Sequence, residues 1–132
     1  MSNWTHVAAI FRIDDLRFAG EEMDFTKLFG KELNFEGDRW VWDEAEMYPE
    51  SFLPCGSEGS LKMSVWTNPN DHSLAAYTVS IFGDLRDHNS VDEIINWFDE
   101  KCKAIKMLRQ AVITVDNECF GMKTKTYGKE VT

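Results

Sequence analysis

Apolar and polar positions alternate through residues 5–13, with Val7, Ala9, Phe11 and Ile13 on one side and His6, Ala8, Ile10 and Arg12 on the other. A period of two is the pattern of a strand that buries one face. The alternation returns at residues 60–67, where Leu61, Met63 and Val65 oppose Lys62, Ser64 and Trp66. A third run, "LAAYTVSIF", fills residues 74–82. Between these two, "NPNDHS" carries turn chemistry: Pro69 fixes φ, and Asn and Asp side chains close on their own backbone. Residues 60–82 therefore predict a hairpin.

Two stretches follow a helical period instead. Asp24 can cap a run in which Phe25, Leu28, Phe29 and Leu33 form one stripe, and Gly30, which costs about 1 kcal/mol against alanine, predicts that this helix is short. "SVDEIINWFDEKCKAI" opens on the capping-box pair Ser90 and Glu93 and carries Ile94, Ile95, Phe98, Cys102 and Ile105 on one face. A strand at residues 109–115 follows, then an added strand or extended arm at 120–127. The order β, α, β, β, α, β predicts an α+β fold of ferredoxin-like βαββαβ type, with an antiparallel or mixed sheet and both helices on one face. One domain spans residues 1–132, a length sufficient for a single core.

Residues 34–59, "NFEGDRWVWDEAEMYPESFLPCGSEG", have no sustained period. An irregular segment of this length is a packed insertion or a functional loop. Phe35, Trp40, Trp42, Tyr48 and Phe52 favour packing, because rings contribute stability only when ordered and buried.

Asp-Leu-Arg occurs at residues 15–17 and again at 84–86. If the first and third strands run parallel and adjacent, the triplets leave one sheet edge side by side, with Asp15 and Arg17 in reach of Arg86 and Asp84. Two readings of that meeting stand open. In one, the triplets are strand-to-helix corners in which Asp binds turn amides and Arg pairs with the facing acid. In the other, Asp15, Arg17, Asp84, Arg86, Asp87 and His88 form a ligand-binding site, with Asp14 nearby and the arginines as anion clamps. The even-numbered strand positions raise a different question. His6, Ile10, Arg12, Lys62, Trp66, Thr78, Ser80, Val112 and Thr114 make a helix-free face too apolar to stay wet, and Trp66 calls for a cover. Either the insertion around Trp40 and Trp42 folds over it, or a second subunit does. Ile10, Trp40, Trp42, Trp66 and Val112 are therefore the candidate interface residues.

Charge narrows the partners. The chain carries a net charge of -9, and residues 1–60 hold 13 acids against 5 bases. That field disfavours nucleic acid and anionic membrane. Three cysteines at wide spacing fit a reducing compartment, and the N-terminal "MSNWTHVAAIFRIDD" resembles no leader or spanning helix, so a cytoplasmic setting is expected. No phosphate loop, dinucleotide fingerprint, zinc-protease motif, EF-hand loop or nucleophile elbow is present. Cys102 lies on the buried helix stripe, and the D-x-x-D-H run at 84–88 is a weak metal cue. No catalytic residue, metal or cofactor is expected.

"WTHVAAIFRIDDLRF", "GSEGSLKMSVW" and "YTVSIFGDLRDH" resemble small uncharacterised proteins of tailed phages and prophages. The resemblance covers most of the chain and implies a setting, the host cytoplasm, with no activity or functional residue attached. The function expected is a non-enzymatic module that self-associates, as a homodimer, or binds a protein partner. The alternative is a small-ligand- or metal-binding, hydrolytic domain built on the paired corners.

Overall fold

The structure, a computed structural model, describes residues 3–16, 23–33, 47–68, 74–88 and 90–128. Its strands are β1 (Trp4–Leu16), β2 (Glu58–Thr67), β3 (Leu74–Arg86), β4 (Leu108–Asn117) and β5 (Gly121–Tyr127), and its helices are α1 (Phe25–Phe29) and α2 (Val91–Ala104). The strands form one sheet in the order β2-β3-β1-β4-β5, and every neighbouring pair is antiparallel. The α+β class holds, with no parallel pair among the named strands. Since β1 and β2 both oppose β3, they run parallel to each other with β3 inserted between them. By the same token β3 and β4 run parallel with β1 between them.

The period-two runs form strands because their odd positions bury together. Val7, Phe11, Ile13, Leu61, Val79, Ile81, Leu85, Ile113 and Val115 join Ile94, Ile95, Phe98 and Cys102 of α2 and Phe29 of α1 in one core. Phe11 sits at its centre, with its ring 4.7 Å from Phe29 and 5.4 Å from Phe98. The caps are those the residues predict. Asp24 accepts from the Lys27 amide, Ser90 Oγ accepts from the Glu93 amide at 3.1 Å, and α1 stops at Gly30 (φ 121°). A Cβ on Gly30 would lie 2.5 Å from the Phe52 backbone, so only glycine lets the two segments meet there.

Two expectations are corrected. First, β1 and β3 are antiparallel, paired as Trp4 with Arg86 and Asp15 with Ala75. The reason lies in the number of reversals. A helical crossover returns the chain parallel to where it started, the hairpin then turns it back, and β3 must oppose β1. Second, the residues at 84–86 make no corner, because β3 continues through them to Arg86. Of the insertion, the described residues 47–59 pack elsewhere than the helix-free face. Leu53 enters the main core, Phe52 pairs with Lys31 and packs on Leu33, and Trp66 keeps 57% of its surface exposed. Trp40 and Trp42 lie outside the described residues, as does Arg17. The C-terminal segment is a paired edge strand, β5, rather than a free arm.

Candidate functional site

Asp15 and Asp84, which open the two Asp-Leu-Arg triplets, lie toward opposite ends of the sheet. Asp15 closes β1 at the end where β3 begins, while Asp84 pairs with His6 at the start of β1, about 30 Å away for nine residues of strand. No site can bridge them. Each member of the 84–88 cluster is instead engaged locally. Asp84 Oδ1 lies 2.7 Å from His6 Nδ1, and Arg86 Nη1 donates to Glu58 at 2.6 Å. Asp87, in the left-handed region at φ 57°, accepts from the Asn3 amide and from Ser57 Oγ, both at 3.2 Å. The His88 carbonyl accepts from Thr5 Oγ1 at 2.6 Å and from Asn117 Nδ2 at 3.3 Å, while its Nε2 stands 3.6 Å from Glu93. Such contacts tie the chain entry, the end of β3 and the start of α2 together. Among the described residues, no group of three or more His, Cys, Asp and Glu side chains is arranged to hold a metal ion.

Asp14, at the other end, is shared by Arg109 Nη1 at 2.8 Å and Arg12 Nε at 3.1 Å. Burial pushes its carboxyl upward, but the hydrogen bonds from Arg109 and then Arg12 outweigh this and hold it below the usual 3.8. Cys102 is inert: burial on the core side of α2 raises its thiol to about 11.

What remains open is the broad face opposite the helices. Facing partners across an antiparallel ladder point to the same side, so the register defines rows across the sheet. One row reads Ser64, Ser80, Ile10, Val112, Thr126, and the next reads Lys62, Phe82, Ala8, Thr114, Thr124. Ile10 and Phe82 are each 48% exposed. Thr114 and Thr124 touch hydroxyl to hydroxyl at 3.3 Å. Flanking these rows are Trp66, Thr78, Arg12 and Gln110 on one side and Ser60, Asp84, His6, Asp116 and Met122 on the other. In a chain of net charge -9, the three rows from Trp66 to Thr124 contain no acid and only two bases, Arg12 and Lys62. Depletion of charge around exposed aromatic and branched side chains is the compositional mark of an interface centre.

The sheet's edges offer less. The Met63 amide on β2 is taken by the Glu32 carboxylate. On β5, Lys123 and Lys125 turn toward the helix side to meet Asp92 and Asp99. A side chain capping an edge amide and inward-turned lysines are both devices that discourage strand addition. The approach left to a partner is face-on.

Of the expected interface residues, Ile10, Val112 and Trp66 share this face. Phe82, Ala8 and Ser64 belong to it too; the even-position alternation that picked out Ser80 extends to Phe82, whereas Asp116 and Asn117 lie beyond the run of residues 109–115 that marks the strand. His6 stands at the margin. Its hydrogen bond to Asp84 raises its pKa above 6.5 against the opposing effect of burial, with lesser help from the charges of Asp84, Glu118 and Asp116. The folded state therefore holds this proton more tightly. Its stabilisation is full below pH 6.5 and fades as pH rises through the folded-state value. NMR titration of the His6 ring should give a midpoint above 6.5 that falls in Asp84→Asn; an unchanged midpoint would show that Asp84 is not its partner in solution.

Comparison with protein-family models, curated proteins and solved structures gives no match. No helix among the described residues is long and apolar enough to cross a membrane.

Proposed function

We propose that this protein is a non-enzymatic interaction module of ferredoxin-like build, a phage or prophage accessory protein working in the host cytoplasm, whose docking surface is the helix-free sheet face. The carrying observation is the acid-free, partly apolar centre of that face, exposed on a strongly acidic chain. The two interleaved β-α-β halves support the ferredoxin-like reading. The three free cysteines support a reducing compartment, and the resemblance of the quoted blocks to phage proteins supports the setting.

The dimensions suit self-association. Over the seven residues of β5, five strands about 4.8 Å apart offer roughly 450 Å² of projected area on each copy. With pleats and side chains, two copies approach the roughly 1,000 Å² total of a specific interface. Tryptophan at such a surface concentrates binding energy. In light scattering coupled to size exclusion, the wild type should run as a dimer, and Trp66→Asp and Ile10→Asp should run as monomers with unchanged circular dichroism. A monomeric wild type at all concentrations, with no protein partner recovered through this face, would sink the reading.

A further inference from the structure

We propose that the occupant of the helix-free face is a second copy of this chain stacked with its central strand antiparallel to the first, so that Arg12 of each copy lies over His6 of the other, between Asp84 and Asp116. This rests on the reading of the face as the docking surface and adds what docks there and in which orientation.

The face is electrically lopsided along β1. In the row through His6, Asp84 and Asp116 flank the ring on the neighbouring strands, and Glu118 Oε1 lies 3.9 Å from His6 Nε2. Three carboxylates thus surround one imidazole. In the row through Arg12 the neighbours are Trp66, Thr78 and Gln110, with no acid. The carboxylate beyond it, Asp14, is shared between Arg12 and Arg109, which leaves an excess of one positive charge. Acidic and basic halves are separated by the rows centred on Ala8 and Ile10. A face carrying both signs in separate halves is complementary to itself, which a foreign partner would not require.

A closed two-fold interface presents the same patch on both copies. Packed sheets keep their strands within about 30° of alignment, so the axis lies either along β1 or across it. An axis along β1 sets His6 on His6, Asp84 against Asp116 and Arg12 on Arg12. Like charges then meet while losing water, an arrangement that costs affinity. An axis across β1 sets the His6 row on the Arg12 row, and Ala8 on Ile10. Each guanidinium then lies over the three-carboxylate end, and a small side chain faces a larger one at the centre. Charge complementarity selects this second arrangement.

The edge strand β2 reports the orientation. With the axis across β1, β2 lies over β2 of the other copy; with the axis along β1, β2 lies over β5. In a background with Cys55 and Cys119 replaced by serine, Ser64→Cys should cross-link to its own kind through a bismaleimide of about 12 Å reach, given sheets about 10 Å apart. Mixed with a Thr126→Cys chain it should give no mixed product. Arg12→Glu and Asp116→Arg should each weaken the dimer at least tenfold in sedimentation equilibrium, and the double variant, which swaps the charges on both copies, should recover most of the loss. Cross-linking of Ser64→Cys solely to Thr126→Cys, or a double variant no better than the worse single, overturns the arrangement while the docking face stands. A wild type that remains monomeric overturns this proposal, and the docking face falls with it only when no protein partner is recovered through that face.

Discussion

Phe11→Ala should cost the protein about 3–5 kcal/mol, the range for truncating a fully buried aromatic ring. Phe11 lies on the central strand and is wholly buried. Its ring stands 4.7 Å from Phe29 of α1, 5.4 Å from Phe98 of α2, and edge-on to Trp97 at 6.3 Å. Among the described residues it is the one side chain in ring contact with both helices, and it is seated at the middle of the sheet. Its removal leaves a cavity that neither helix can fill without leaving the other. Domains of this size have about 5–15 kcal/mol in hand, so the loss takes a large share of the total. Urea unfolding followed by tryptophan fluorescence should show a lower midpoint at an unchanged slope. Phe11→Leu, which keeps most of the volume, should cost distinctly less. A loss under about 1.5 kcal/mol for the alanine variant would mean that α1 and α2 do not both rest on β1.

This centre was legible in the sequence because burial on one face writes itself as a period. Val7, Ala9, Phe11 and Ile13 cannot all point inward on anything but a strand, and Ile94, Ile95, Phe98 and Cys102 cannot share a face on anything but a helix. The end of β3 was not legible in this way. Gly83 interrupts the alternation and Asp84 and Arg86 are polar, so the run reads as finished at Phe82. In the structure β2 approaches β3 so closely that a Cβ on Gly83 would lie 2.2 Å from the Ser60 carbonyl oxygen, and the ladder continues through Leu85. The glycine that looks like a break is what lets the strand go on.

Strand direction required counting reversals, and adjacency alone does not supply it. With β1 and β3 antiparallel, Asp15 and Asp84 mark the ends of two long central strands at opposite poles of the sheet. One pole gathers Asp14, Arg12 and Arg109, the other His6, Asp84 and Glu118. The helix-free face therefore carries a charge asymmetry along its length, which follows from strand direction and not from the repeated triplet. Asp116 belongs to that face by its register opposite His6, and register is a property of paired strands that no single run displays.

Asn117→Ala should cost about 2–4 kcal/mol, because one buried amide closes four contacts at the pole where the chain enters the sheet. Its Nδ2 donates to Thr5 Oγ1 at 2.9 Å and to the His88 carbonyl at 3.3 Å. Its Oδ1 accepts from the Cys119 and Phe120 amides, both at 2.9 Å. Thr5 and Asn117 are the two fully buried polar side chains among the described residues, and each satisfies the other. Alanine leaves Thr5 Oγ1 with its bond to His88 alone and frees the two turn amides between β4 and β5. Because Glu118, Cys119 and Phe120 are exposed, water can recover the turn amides, which sets the loss below that of Phe11→Ala. The two variants also differ in kind. Hydrogen exchange in Asn117→Ala should quicken at Cys119 and Phe120 by more than the global loss explains, since local opening of the turn no longer breaks a buried bond. Uniform acceleration across all five strands would show that Asn117 acts only through the core, and that the β4–β5 turn is held by something else.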